Sequence, residues 1–313
     1  MRKKRMVIAL GHKDLGTTLP EQREAVRRTA QLITFFVRKG FQIALTFSNA
    51  PQAGMIYTAM KDLSERYPDQ YTRIPLALCS AMSQGLIGYD LQNAVHTELL
   101  KHGIYRTVST VLTQVQVDPY DESFYHPAKL IGREMDAAEA EAEEEAGNHV
   151  SEVAPGRFRR IVPSPVPEAV IEIEAVRGLL DLDQIVICCG GGGIPVMRQG
   201  TELRGAAAVI EKDLTAGLLA EEIEADLLLI TTAVEHVSLD FGKPGERAVG
   251  QMSVLEAKEY LAQGEFEFRS MQPKVEAAVR FIEDGQDREA IITTMEAAEK
   301  AFLGLTGTHI REV

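Results

Sequence analysis

Short runs of apolar, often β-branched residues alternate with amphipathic segments along the whole chain. In the first unit, residues 6–10 predict a buried strand, and the apolar positions of residues 25–37 recur at helical spacing. Thr18 followed by Glu21 predicts a capping box at the start of that helix. Residues 41–46 then supply the next strand. This alternation is typical of a mostly parallel sheet with helices on both faces.

The same alternation continues towards the C-terminus and is interrupted once. Further strands are predicted at residues 107–115, 184–189, 226–231 and 289–293. The stretch 120–165 combines aromatic and proline residues with an acidic run and a basic cluster, and we interpret it as an inserted subdomain. Its acidic run, residues 136–145, predicts a solvated helix face because the carboxylates follow no metal-ligand spacing. We therefore expect one α/β domain over residues 1–313 with a small insertion.

Composition narrows the possible partners. The chain has 313 residues, of which 45% are hydrophobic, and its formal net charge is −13. Nucleic acids and anionic membranes need clustered Lys and Arg, so we expect neither as a partner, whereas a small anionic substrate remains compatible. The apolar stretch 7–10 is too short for a signal sequence, and no window approaches the roughly 20 apolar residues of a membrane span. Cys79, Cys188 and Cys189 form no disulfide or metal-ligand pattern, which favours buried thiols in a reducing cytoplasm.

A predicted strand that ends in four consecutive glycines, at 190–193, is the strongest chemical signal in the chain. Successive glycine amides at the carboxyl end of a parallel strand can form an anion-binding concavity, which phosphate oxygens approach without meeting side chains. The alternative is a tight turn, which usually needs only one or two glycines. No Gly-Lys-Ser/Thr follows, and the spacing is not a dinucleotide fingerprint. We interpret the segment as a nucleotide-phosphate loop.

Two lysines near predicted helix starts are candidate phosphate-neutralising cations. Lys212 is flanked by two carboxylates, which would hold it in place and keep it charged, and Lys274 opens another helix. Spacing alone supports equally well an ordinary acidic first turn around Lys212 and a surface lysine at 274. The loops at 11–16 and 46–54 both follow strands, so we expect them at one ligand-binding sheet edge. No Ser-His-Asp or Cys-His motif is present, which disfavours a covalent mechanism.

Several segments carry a more specific signal. They are residues 82–93, 110–118, 129–132, 159–165, 190–193, 209–213, 241–244, 270–278 and 306–309. In this order, and over roughly residues 6–310, they resemble the carbamate kinase family of enzymes with the amino-acid kinase fold.

The resemblance implies a three-layer αβα sandwich with a mostly parallel central sheet and a small inserted subdomain at about residues 120–165. It implies an acyl-phosphate side over about residues 1–180 and a nucleotide side over about residues 181–313. The implied activity is reversible phosphoryl transfer between ATP and carbamate, usually run from ADP and carbamoyl phosphate towards ATP. The implied setting is a cytoplasmic homodimer, with Mg²⁺ carried by the nucleotide.

The same resemblance implies the site residues. Lys129, Lys212 and Lys274 are the expected catalytic cations, which position the transferred group and offset its charge. The expected acyl-substrate residues are Gly11, His12, Lys13, Ser48, Asn49 and Ala50. The expected nucleotide-binding residues are Gly190, Gly191, Gly192, Gly193, Asp213, Ala233 and Met271. No protein metal ligand is expected.

The acyl-side loops depart from the family's pattern. The family's first loop reads Gly-Gly-Asn where residues 11–13 of this chain read Gly-His-Lys. Its second loop reads His-Gly-Asn-Gly-Pro-Gln where residues 47–52 read Phe-Ser-Asn-Ala-Pro-Gln. His12, Ser48 and Ala50 each add a side chain where the family has glycine, so we expect narrower or refolded loops.

Two hypotheses follow. In the first, the chain is a working phosphotransferase with a remodelled acyl site, in which Lys13 and His12 supply charge that the lost amides no longer provide. In the second, it binds nucleotide without catalysis and acts as a regulatory or assembly partner of a carbamoyl-transferring enzyme. The nucleotide-side motifs are mostly retained, although the family's lysine and tyrosine are replaced at His236 and Ser238. We favour the first hypothesis because all three catalytic lysines are retained.

Overall fold

The computed structural model describes residues 3–268, 270–283 and 285–312. The ends of the predicted domain, residues 1–2 and 313, therefore lie outside the described residues, as do Arg269 and Asp284. Across the described ranges, no helix has both the length and the apolar character that a membrane crossing needs.

Strands and helices are interspersed along the described chain. The strands are β1 (Arg5–Leu10), β2 (Gln42–Phe47), β3 (Val108–Thr110), β4 (Gln114–Val117), β5 (Lys129–Met135), β6 (His149–Ala154), β7 (Arg157–Val162), β8 (Pro167–Val170), β9 (Ile185–Ile187), β10 (Ile194–Gln199), β11 (Glu202–Gly205), β12 (Leu227–Thr231), β13 (Val237–Leu239), β14 (Arg247–Val249), β15 (Gln251–Ser253), β16 (Glu289–Thr293) and β17 (Thr308–Arg311). The helices are α1 (Leu19–Arg38), α2 (Ala50–Arg66), α3 (Leu76–Lys101), α4 (Ala137–Glu145), α5 (Ile173–Asp181), α6 (Lys212–Glu222), α7 (Val254–Ala262), α8 (Gln272–Glu283) and α9 (Ala298–Phe302). Short 3₁₀ turns lie at His12–Asp14, Glu122–Phe124 and Gly190–Gly192.

Eight strands form the central sheet, in the order β15-β17-β16-β12-β1-β2-β9-β3. β1 pairs in parallel with β2 and with β12, and β12 pairs in parallel with β16. β17 runs antiparallel to β16, so the sheet is mostly parallel, as predicted. Three smaller sheets have the orders β11-β10-β4-β8, β13-β14 and β5-β7-β6.

The central sheet separates two hydrophobic clusters. Successive residues of a strand point to opposite faces, and in β1 Val7 and Ala9 belong to one cluster while Met6, Ile8 and Leu10 belong to the other. Helices α5 to α8 pack in the first cluster, and α1, α3 and α9 pack in the second. The molecule therefore has three layers, and the predicted αβα fold is confirmed.

Most of the local structure predicted from the sequence is present. Thr18 caps α1, and the carboxylate of Glu21 accepts the backbone N–H of Thr18 at 2.9 Å. The prediction of one strand at 107–115 is wrong. β3 pairs with β9 in the central sheet, whereas β4 pairs with β10 in a smaller one. Between them the N–H of Thr113 donates to the side chain of Gln84 in α3 at 2.8 Å, so the chain leaves the first ladder there.

The strands β5, β6 and β7, which lie within the stretch interpreted as an insertion, form their own antiparallel sheet beside α4. α4 carries the acidic run, and the prediction that this run is solvated is wrong for Glu143. Glu143 is buried and pairs with Lys61 of α2, while Asn148 donates to its second oxygen at 2.6 Å. This ion pair links α4, which lies beside the small sheet, to α2.

Helices α6 and α8 approach each other closely at Gly217. A Cβ on Gly217 would lie 2.8 Å from the carbonyl oxygen of Ala277 in α8. α6 begins at Lys212, and Lys274 lies in the first turn of α8. The close packing of α6 against α8 therefore helps to bring Lys212 and Lys274 near each other.

Gly217→Ala tests this contact. The added methyl group should overpack the α6–α8 interface and lower the free energy of unfolding by about 1–3 kcal/mol. This loss exceeds the gain from alanine's higher helix propensity, which is up to about 1 kcal/mol. Gly178→Ala is the matched control, because Gly178 lies in α5 and nothing stands within 4 Å of its would-be Cβ. Urea denaturation measures both variants, and a Gly217→Ala chain as stable as the control would contradict the close packing.

Candidate active site

The loops singled out in the sequence meet at one edge of the central sheet. The first loop (residues 11–16) follows β1, and the glycine loop (residues 190–193) follows β9. The prediction of a loop over residues 46–54 is wrong at both ends, because β2 continues to Phe47 and α2 begins at Ala50. The second loop is therefore residues 48–49. β12, β1, β2 and β9 are parallel neighbours, so their carboxyl ends lie at the same edge. The N–H of Ser48 donates to the carbonyl of Leu10 at 3.1 Å, which ties the starts of the first two loops together.

The glycine loop is packed against protein atoms at every position. Gly191, Gly192 and Gly193 have φ values of 70°, 88° and 90°, a region that favours glycine. A Cβ would lie 2.3 Å from Phe47 at Gly190, 2.0 Å from Asn49 at Gly191, 2.4 Å from the carbonyl oxygen of Ile210 at Gly192 and 2.3 Å from Val115 at Gly193. Packing therefore requires all four glycines, whatever ligand the loop binds.

Two side chains from opposite faces of the sheet hold the glycine loop in place. Thr215 of α6 donates its hydroxyl to the carbonyl of Gly192 at 3.0 Å. Gln84 of α3 donates to the carbonyl of Gly190 at 3.0 Å. The loop is thereby fixed between α3 and the start of α6.

Three lysines gather around two neighbouring carboxylates at the start of α6. Lys212 pairs with one oxygen of Asp213, and Nζ of Lys274 lies 2.8 Å from the other. Lys129 of β5 pairs with Glu211, the N-cap residue of α6. The expectation that both flanking carboxylates hold Lys212 is therefore wrong for Glu211, because Lys129 reaches it from the small sheet. α6 begins at Lys212 itself, so Lys212 belongs to its first turn.

The Lys212–Asp213–Lys274 cluster is almost closed to solvent. Lys212 is 8% exposed and Asp213 is 3% exposed. Burial raises the pKa of Asp213, but the two ammonium groups outweigh this effect and lower the pKa from 3.8 to about 2. Burial lowers the pKa of Lys212, and the charge of Asp213 opposes that shift. With both lysines protonated, one carboxylate faces two positive charges, so the cluster is suited to an anion such as a phosphate group.

The first loop folds as a short 3₁₀ turn, His12–Asp14. His12 and Lys13 are exposed on it, so His12 does not fill a buried pocket. Gly11 is constrained by its neighbour in the sheet, because a Cβ there would lie 2.6 Å from the carbonyl oxygen of Thr231.

Asp14 is a buried carboxylic acid that sequence reasoning missed. It is 6% exposed, and its Oδ2 accepts the N–H of Gly11 at 2.8 Å and the hydroxyl of Thr231 at the end of β12. Burial raises its pKa, although these hydrogen bonds and the charge of Lys212 lower it in part. The available signal was an acidic residue directly after the part of the first loop that departs from the family's pattern.

Asn49 connects the second loop with the glycine loop. It is 6% exposed, its Nδ2 donates to Oγ of Ser83 at 2.7 Å, and its amide lies against Gly191. Ser48 is half-buried, whereas Ala50 is exposed at the first residue of α2. Of these three predicted substrate residues, Asn49 is therefore the one that bridges the two loops.

The two remaining predicted nucleotide residues lie at the same edge in different settings. Ala233 is exposed in the turn that follows β12. Met271 is half-buried against the hydrophobic cluster of α6 and α8, and its carbonyl accepts the N–H of Lys274 at 3.0 Å. Met271 thus helps to form the turn that places Lys274.

The chain matches the model of the amino acid kinase family over residues 4–294. The carbamate kinase-like protein YqeA of Escherichia coli is 44% identical over 98% of this chain and 99% of that protein. Carbamate kinase 1 of Enterococcus faecium is 41% identical over 94% of each chain. The structure of carbamate kinase from Giardia lamblia bound to AMP-PNP superposes with a TM-score of 0.91 at 34% identity, covering 99% of this chain and 98% of that one.

This chain belongs to the carbamate kinase family. The resemblance inferred from its motif segments is confirmed, and so is the amino-acid kinase fold.

At one of the two nucleotide-side positions where the carbamate kinase family has lysine and tyrosine, this chain has His236. Its Nε2 lies 3.3 Å from Oγ1 of Thr306, beside a cavity of about 410 Å³. His309, on the same cavity, contacts Glu289 through Nδ1 at 2.7 Å and the carbonyl of Thr306 through Nε2 at 3.1 Å. Two acceptors require both ring nitrogens to be protonated, and the hydrogen bond to Glu289 raises the pKa of His309. His309 therefore connects Glu289 of β16 with the loop before β17.

Asp213→Asn removes the negative charge that Lys212 and Lys274 share. Two ammonium groups then lie close together without the carboxylate that they share, and we expect the free energy of unfolding at pH 7 to fall by about 3 kcal/mol. The folded-state pKa of Asp213 lies below its ordinary value, so this contribution is present above about pH 4 and is lost as the pH falls towards about 2.

Urea denaturation of both chains at a series of pH values measures the difference. Asp240→Asn is the control, because Asp240 pairs with Lys243 at the surface and its charge should not affect stability measurably. A difference between wild type and Asp213→Asn that stays constant at all pH values would contradict the assigned charge cluster.

Proposed function

We propose that this chain catalyses reversible phosphoryl transfer between ATP and carbamate, with formation of ATP from ADP and carbamoyl phosphate in one direction. The observation that carries the proposal is the Lys212–Asp213–Lys274 cluster beside the glycine loop, where one buried carboxylate faces two lysines. Two relatives support it. Carbamate kinase 1 of Enterococcus faecium has this activity in its name, and the Giardia lamblia enzyme was solved with AMP-PNP bound.

Phosphoryl transfer requires the protein chiefly to position the reacting groups and to offset charge. An ammonium group in a buried site acts on the developing charge more strongly than it would in water. We assign this role to Lys212 and Lys274, whose ammonium groups are fixed by Asp213, and to Lys129, which Glu211 holds from the side of the small sheet. The nucleotide phosphates would bind at the glycine loop and the start of α6, where the helix dipole adds positive potential.

Magnesium fits this site as a companion of the nucleotide. Within the described ranges, no group of three or more His, Cys, Asp or Glu side chains is placed to hold a metal ion. Asp213 is already engaged by two lysines. Mg²⁺ usually keeps several waters and is bound through substrate phosphates with one or two carboxylates. We therefore propose that the nucleotide phosphates and water carry the ion.

We further propose that residues 1–180 hold the acyl phosphate and that residues 181–313 hold the nucleotide. β9 lies between β2 and β3, so this division crosses one continuous sheet. The two ligands would meet where Asn49 of the second loop lies against Gly191 of the glycine loop.

The homodimer and the cytoplasmic location stay predictions. α3 carries four exposed large apolar side chains at helical spacing, Leu78, Met82, Tyr89 and Leu100, and their common face is compatible with contact to a second copy of the chain.

A coupled assay of ATP formation from ADP and carbamoyl phosphate tests the proposed activity. We expect turnover by the wild type and a kcat about 10²–10³-fold lower for Lys212→Ala, because the variant loses one cation near the transferred phosphoryl group. Asp213 keeps Lys274 as its partner in that variant, so the charge of Asp213 stays compensated.

Lys258→Ala is the matched control, because Lys258 forms a similar ion pair with Glu283 at the surface and should leave kcat unchanged. Failure of the wild type to make ATP from carbamoyl phosphate or any other acyl phosphate would remove the proposal. Calorimetric binding of ADP without such turnover would instead favour the non-catalytic nucleotide-binding hypothesis.

A further inference from the structure

Asp14 places a carboxylate where the first loop leaves β1. One of its oxygens accepts both the N–H of Gly11, at 2.8 Å, and the hydroxyl of Thr231. Gly11 and Thr231 lie at the carboxyl ends of the adjacent parallel strands β1 and β12. In an open α/β sheet, groups at this edge are the donors that a bound anion takes. Asp14 therefore engages, within the chain, an N–H at the edge of the sheet where such anions bind.

Asp14 also changes the charge around the proposed catalytic lysines. Asp14 and Lys212 are both buried, and burial raises the pKa of Asp14 and lowers that of Lys212, while the charge of each opposes the shift of the other. The charge of Asp14 thus acts on Lys212 in addition to that of Asp213. The charge of Glu296 adds to the effect of burial and also raises the pKa of Asp14. Asp14 therefore has an acidic neighbour as well as a basic one. A phosphate dianion brought to this place would meet repulsion that water screens poorly.

We propose that Asp14 is a specificity-determining residue of the acyl site, whose carboxylate weakens the binding of a doubly charged acyl phosphate more than that of a singly charged acceptor such as carbamate. The inference rests on the proposed phosphotransfer function and deepens it. It also gives the altered first loop a role. The turn through His12 and Lys13 brings Asp14 back to Gly11, and the N–H of Asp14 closes that turn on the carbonyl of Gly11 at 3.2 Å.

The competing explanation is that Asp14 only closes the turn. Asp14→Asn separates the two roles, because the side-chain oxygen of asparagine still accepts the N–H of Gly11 while the negative charge is gone. Asp226→Asn is the matched control. Oδ2 of Asp226 accepts the N–H of Arg5 at 2.7 Å, which is the same kind of bond at the opposite end of β1.

The probe is phosphonoacetamide, an analogue of carbamoyl phosphate in which a methylene group replaces the bridging oxygen. Isothermal titration calorimetry without nucleotide measures its dissociation constant for each folded chain. We expect Asp14→Asn to bind the probe at least about tenfold more tightly than the wild type, which corresponds to about 1.4 kcal/mol. Asp226→Asn should bind it as the wild type does. If circular dichroism shows that Asp14→Asn does not fold, Asp14→Ala replaces it with the same expectation.

Equal dissociation constants for the wild type and Asp14→Asn, or no binding to either, would overturn the inference. The titration needs no turnover, so its result is independent of the coupled assay. Tighter binding by Asp14→Asn together with an inactive wild type would support the role of Asp14 and remove the proposed function. An active wild type, together with an Asp14→Asn chain that binds the probe with the same dissociation constant, would support the proposed function and remove the role of Asp14.

Discussion

The carboxylate of Asp213 accepts hydrogen bonds from Lys212, its neighbour in α6, and from Lys274, which lies 61 positions further along the chain in α8. Two ammonium groups in a closed site repel each other, and the shared carboxylate makes their proximity tolerable. The contact also requires α6 and α8 to pack closely, which the absence of a side chain at Gly217 permits. The charge of the proposed active site thus depends on a helix-packing distance as well as on the lysines themselves.

The glycine loop shows how packing and ligand binding can require the same residues. Each of its glycines lies against an atom of another element, from Phe47 and Asn49 of the β2 end to Ile210 before α6. This meeting of loops brings the proposed acyl and nucleotide sides together. Glycine is needed there for close approach of the backbone, and the same exposed backbone is what an anion-binding loop uses. Membership of the carbamate kinase family is consistent with a glycine loop that serves both packing and anion binding.

The first loop departs from the family's pattern at two of its first three positions. The sequence suggested that His12 and Lys13 of this loop supply positive charge to the site. In the structure both side chains are exposed, whereas the acid Asp14 is buried. The turn presents His12 and Lys13 to solvent and an acid to the sheet edge, beside Gly11 and Thr231. The scaffold of the family is therefore combined with a first loop that places a carboxylate at the edge of the sheet.

Periodicity and capping, which depend on residues close together in the chain, determined the layers of the fold, the start of α1 at Thr18 and the strand that ends in glycines. The motif segments also determined the family. Only the tertiary structure decided the partners of the charged groups: Lys129 reaches Glu211 across 82 positions, and Asp14 reaches Thr231 across 217. No local pattern encodes such pairs, because strand order and helix packing create them. The same reason explains why the single strand predicted at 107–115 divides, since Gln84 from another helix takes the backbone N–H at its break.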